Sequence, residues 1–66
     1  MDMLYYELFV NEFDSSTNEV KHQIRYLVRE RTKEDVLYVI NDIVDYLKET
    51  AVDNLDYCID YYQELV

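Results

Sequence analysis

The sequence predicts an all-α fold, a small bundle of three main helices at about residues 17–31, 33–49 and 51–66 behind a short N-terminal helical or extended segment. Three observations predict it. The 66 residues contain neither Gly nor Pro, on which hairpin turns and most β-sandwich corners depend for their backbone angles. Helix starts are marked three times, by Ser16 with Glu19, Thr32 with Asp35 and Thr50 with Asp53. All three have capping-box spacing, with Asp in place of the preferred Glu or Gln in the last two. Finally, apolar residues recur at intervals of three and four through most of the chain.

In the first helix Val20, Ile24, Leu27 and Val28 fall at the spacing of one buried face. Val36, Ile40, Ile43, Val44 and Leu47 repeat the rule from Lys33 to Glu49, and Leu37 and Val39 widen the arc, which makes this the central helix. Val52, Leu55, Ile59, Tyr62 and Val66 alternate steps of three and four, the seam of a helix packed nearly antiparallel on a neighbour. Before Ser15 the apolar residues spread around a helical wheel. With no second strand evident to pair it, a short helix is preferred there to an isolated strand. Asn11, Asn18 and Asn54 are the residues expected at tight connections, because Asn tolerates the left-handed conformation.

A chain of this length makes one domain, residues 1–66, too small for a deep catalytic cleft. Its net charge is −9. That repels nucleic acid and anionic membrane and attracts basic surfaces, so direct nucleic-acid binding is not expected, and no uncharged run approaches the roughly 18 to 20 residues needed to cross a bilayer, so membrane insertion is not expected either. Cys58 is the single cysteine, and Asp2 stands where a secretory signal carries Lys or Arg, so a cytoplasmic location is expected. His22 and Cys58 are each alone of their kind, which rules out a zinc site of four soft ligands within one chain. Asp53, Asp56 and Asp60 are the weak remaining candidates for a hydrated Mg²⁺ or Ca²⁺, and the Gly that a calcium loop of the EF-hand type needs is missing. No metal or cofactor is assigned. No phosphate-binding Gly loop, nucleophile elbow or Ser/His/Asp set can be assembled, so the chain reads as a non-enzyme.

The charge is lopsided. Up to Glu34 the chain carries net −2, and beyond it net −7 with Lys48 the single base. On a helix, Asp53, Asp56, Asp60 and Glu64 share an arc of roughly 80° flanked by Tyr57 and Tyr61. Asp35, Asp42, Asp45 and Glu49 form a similar stripe on the preceding helix around Tyr38. Like charges three or four residues apart cost a helix a few tenths of a kcal/mol per pair. Two such helices side by side bring the charge spacing to about 2.7 Å, against roughly 1.7 Å along a duplex. These eleven residues are the candidate partner-binding set. The plainer readings are that acidic outer faces keep helices solvated, or that Lys21, Arg25 and Arg29 neutralise a neighbour's acids.

In size, acidity and Tyr-rich composition, and through the two acidic stripes, the chain resembles small phage and mobile-element proteins that inhibit host defence or DNA-handling enzymes, including anti-CRISPR proteins that act as DNA mimics. Bacteriocin immunity proteins are similar in size and acidity. Both resemblances imply a non-catalytic inhibitor whose partner is a basic, nucleic-acid-handling protein. The competing expectation is an interaction or regulatory module, dimerising or docking through apolar surface at Met3, Leu4, Tyr5, Phe9 and Phe13.

Overall fold

A computed structural model describes residues 2–66. The chain runs β1 (Leu4–Asp14), β2 (Val20–Glu30), α1 (Lys33–Glu49), β3 (Leu55–Glu64). The strands form one antiparallel sheet in the order β2-β1-β3, with β1 central. Because both outer strands run against β1, they are parallel to each other. Helix α1 joins them across β1, giving a split β-α-β unit with the helix on one face of the sheet.

The expected helix over 33–49 is present with its expected cap: Thr32 Oγ1 accepts from the Asp35 amide at 3.1 Å. Its buried stripe is Val36, Ile40 and Val44. The all-α bundle is overturned, because residues 17–31 and 51–66 are not helical and supply strands β2 and β3. In β2 the helical spacing of Val20, Ile24, Leu27 and Val28 coexists with a strand alternation, Ile24, Tyr26, Val28 against Arg25, Leu27, Arg29. The strand wins: Val28 is 4 % exposed and its neighbour Leu27 is 67 % exposed, a split that one helical face does not allow. In β3 the register shifts between the Phe9 and Val10 pairings, so Asp60 is an extra residue in a bulge. The bulge turns an alternation of two into a step of three from Ile59 to Tyr62, and that irregularity imitates a helical seam.

Once β2 and β3 are strands, the N-terminal segment has its partners, and of the helical or extended alternatives it takes the extended one. Leu4, Tyr6, Leu8 and Val10 face α1, while Tyr5, Glu7, Phe9 and Asn11 face away. The turns manage without Gly. Asn18 takes φ 61° between β1 and β2, and Asp53 takes φ 55° before β3, both left-handed positions that Asn and Asp tolerate. Asn18 therefore sits where expected, whereas Asn11 lies within β1. Ser16 caps no helix: it donates from its amide and its hydroxyl to the Asp14 carboxylate, which tightens the β1–β2 turn. Thr50 closes α1 instead of opening another helix, with its amide and hydroxyl both donating to the Tyr46 carbonyl.

The core lies between α1 and one sheet face and consists of Tyr6, Leu8, Val10, Val28, Tyr57, Val36, Ile40 and Val44. Among the described residues no element covers the other sheet face. Among the described residues no helix is long and apolar enough to cross a membrane.

Candidate protein-binding surfaces

Two surfaces are candidates, and they lie on opposite sides of the molecule. The first is the outer face of α1. Its core stripe points at the sheet, so the residues half a turn away, Glu34, Asp35, Tyr38, Asp42, Asp45 and Glu49, are all exposed, Tyr38 by 72 %. From Glu34 to Glu49 the ridge is about 22 Å long at 1.5 Å per residue. Among the described residues the ion pairs are Lys21–Glu19, His22–Glu12, Arg25–Glu7 and Lys48–Asp56, so none involves a ridge carboxylate.

The structure thus unites Asp35, Tyr38, Asp42, Asp45 and Glu49, and it disperses the other six expected residues. Asp53 lies in the connection before β3. Asp56 stands 3.9 Å from Lys48 Nζ and accepts the Tyr57 amide. Tyr57 is buried in the core, where its hydroxyl donates to Glu12 Oε2 at 2.6 Å. That bond, with the His22 ring 3.0 Å from Oε1, holds the Glu12 carboxyl below its ordinary range, and it raises the Tyr57 phenol above its own. Asp60 in the bulge accepts from Gln23 Nε2 at 2.8 Å, and Tyr61 stacks on Phe9 with ring centroids 4.6 Å apart. Glu64 is exposed at the end of β3. The two carboxylate stripes therefore do not merge into one patch. Cys58 is exposed.

The second surface is the open face of the sheet, which helical periodicity concealed. Its outer column on β2 is Gln23, Arg25, Leu27 and Arg29; its central column is Tyr5, Glu7, Phe9, Asn11 and Phe13; and β3 adds Asp56, Cys58, Asp60, Tyr61 and Gln63. Side chains are tied across it. Arg25 Nε donates to Glu7 Oε2 at 2.8 Å, Gln63 donates to Glu7 Oε1, and Gln23 bridges Asn11 and Asp60. Among the described residues Glu7 is the one charged residue that is buried, and the bonds from Gln63 and Arg25 hold its carboxyl below the ordinary value against the opposing effect of desolvation. Above this polar layer Tyr5, Leu27 and Tyr61 are 49 %, 67 % and 45 % exposed. The signal for this face was the period of two in LYYELFVN, in which Leu4, Tyr6, Leu8 and Val10 are all apolar while Tyr5, Glu7, Phe9 and Asn11 alternate aromatic with polar. Of the apolar residues expected to dock, Tyr5 and Phe9 lie here, whereas Leu4 packs against the core beneath α1.

Among the described residues no three metal-ligating side chains gather in one place, and Asp53, Asp56 and Asp60 follow separate courses. Comparison of the chain with protein-family models, with curated proteins and with solved structures finds no match.

Proposed function

We propose that this chain is a non-catalytic binding protein whose α1 ridge occupies the cationic, nucleic-acid-binding surface of a basic protein, in the reducing cytoplasm that a lone exposed Cys58 fits. One observation carries the reading. Five exposed carboxylates outside any ion pair, Glu34, Asp35, Asp42, Asp45 and Glu49, line one side of a single helix around Tyr38. Spread over about 22 Å, they stand one negative charge per roughly 5.6 Å on average, within a factor of two of the 3.4 Å along one strand of a duplex. A groove built to track one phosphate backbone meets a comparable line of charge, and Tyr38 offers a ring to its Arg side chains.

The test is capture of partners by the tagged full chain from its native host, eluted with a salt gradient, beside the Asp42→Lys/Asp45→Lys variant. Basic nucleic-acid-handling proteins released at moderate salt, and lost from the variant, support the reading. Retention by the variant refutes it. Asp60→Lys serves as the control, since Asp60 lies on the opposite side of the molecule and its reversal leaves this binding intact.

A second reading, a module docking through apolar surface, is favoured by the exposure of Tyr5, Leu27 and Tyr61 on the open sheet face.

A further inference from the structure

We infer that the open face of the sheet is a homodimer interface: two copies pack face to face about a two-fold axis parallel to the strands, with β2 of each over β3 of the other. The inference rests on the second reading, that this face docks a protein, and it names the occupant as a second copy of the chain.

Charge selects the occupant. The chain carries −9, yet on the open face Glu7, Arg25, Arg29 and Asp60 cancel, and Asp56, opposite Phe13 at the end of the face, lies 3.9 Å from Lys48 Nζ. Nearly all of the net charge therefore lies elsewhere, and this is the face on which a second −9 chain meets the least like-charged surface at close range. A neutral face with two arginines among carboxylates lacks the cationic excess that nucleic acid or an anionic bilayer requires.

The arrangement of the face selects the axis. Cations sit on the β2 side, at Arg25 and Arg29, while Asp60 and the Tyr61 ring sit on the β3 side. A two-fold axis perpendicular to the strands would lay β2 on β2 and set arginine against arginine. An axis parallel to the strands crosses the columns. Arg25 then lies over Tyr61 of the partner subunit, a cation–π pairing, and Gln23 lies over Asp60 of the partner subunit. Phe9 meets Phe9 of the partner subunit near the axis. Glu7 lies beneath Arg25 and Gln63, already neutralised, so no bare carboxylate faces its copy.

The area suffices for a reversible dimer. From Tyr5 to Phe13 the central strand is about 27 Å long, and three strands are about 14 Å wide. With side-chain relief this corresponds to about 600 Å² per copy, or about 1,200 Å² in the pair, the lower limit for specific complexes. The result is a four-layer α-β-β-α sandwich that carries one acidic ridge on each outer side.

The test is sedimentation equilibrium of the full chain from about 1 μM to 1 mM, with circular dichroism to confirm folding of each variant. The expected result is a monomer of 8.1 kDa at low concentration, converting to a dimer as concentration rises. Raising the salt from about 0.05 M to 0.5 M should tighten the dimer, because the two −9 chains repel less when screened. Leu27→Asp on β2 and Tyr61→Lys on β3 alter exposed residues and should each weaken the dimer at least tenfold, whereas Tyr38→Lys on α1 should not. A dimer indifferent to both sheet-face variants, as edge-to-edge strand pairing would be, overturns the inference. So does a monomer at every concentration. In that case the docking reading is judged separately, by whether Leu27→Asp loses a partner that the wild-type chain captures from its host.

Discussion

Leu27 and Val28 are neighbours in sequence and opposites in space, and truncating each in turn tests the sheet directly. Val28 is 4 % exposed in the core beneath α1, while Leu27 is 67 % exposed on the open face. Val28→Ala removes two buried methyl groups, each worth about 0.8 kcal/mol in transfer, and leaves a small cavity, for a total near 2 kcal/mol. Leu27→Ala removes a side chain that is only about one-third buried, so the expected loss is roughly 0.5 kcal/mol. Domains of this size lie at the low end of the 5–15 kcal/mol range of native stability, so the first loss is conspicuous. It corresponds to a fall of about 8–16 °C in Tm. The assay is urea unfolding followed by far-ultraviolet circular dichroism at about 1 μM, where association contributes little to stability. The Val28→Ala midpoint should drop at unchanged slope, with Leu27→Ala close to wild type. Equal losses would refute the argument, because that is what residues sharing one buried helical face would show.

Two further outcomes follow from the turns and the buried polar pairs. Asn18 is held at φ 61°, where a side chain costs roughly 1 kcal/mol that Gly avoids, so Asn18→Gly should leave stability unchanged or raise it by up to about 1 kcal/mol, and a marked loss in urea unfolding would contradict the turn. Glu12 and Glu7 are held below their ordinary values by bonds from Tyr57 and Gln63 respectively, so each binds its proton more weakly folded than unfolded. Their contribution is present above the ordinary carboxylate value and is lost as pH falls through the lower folded one. Between about pH 5 and pH 2 the wild-type urea midpoint should therefore fall more steeply than that of Glu12→Gln, and parallel curves would remove Glu12 from the account.

Helix α1 was legible because every local signal agreed: the Thr32 cap, the Val36/Ile40/Val44 stripe and the acids at its start all point one way. The two other expected helices failed for identifiable reasons. VKHQIRYLVRE satisfies both periods at once, and its β-branched and aromatic residues at 24, 26 and 28 become decisive only beside a strand to pair with. LDYCIDYYQE alternates on either side of Asp60, but the bulge breaks the phase, and neither half alone makes a convincing strand. The absence of Gly misled because Asn18 and Asp53 do Gly's work. The candidate site divides along the same line. On α1, helical spacing placed Asp35, Tyr38, Asp42, Asp45 and Glu49 together correctly. On β3 the bulge between Tyr57 and Tyr61 sends one ring into the core and the other to the open face, so two residues four apart share no surface.

The sheet also explains how so acidic a chain leaves one ridge uncompensated. Of its six lysines and arginines, Lys21, Arg25 and Arg29 belong to β2, and Arg25 is committed to Glu7 across the face turned away from the helix. Lys48, on α1 itself, reaches Asp56 on β3 instead of a neighbour on its own ridge. The fold thus separates an excess of carboxylates on one side from a neutral aromatic face on the other. The two surfaces must then answer salt with opposite signs: added salt weakens a ridge that attracts cations and strengthens an apolar contact between like-charged copies. An isolated chain whose self-association and partner binding both weaken with salt would be using one surface for both, and the assignment of separate roles to α1 and the open sheet would fail.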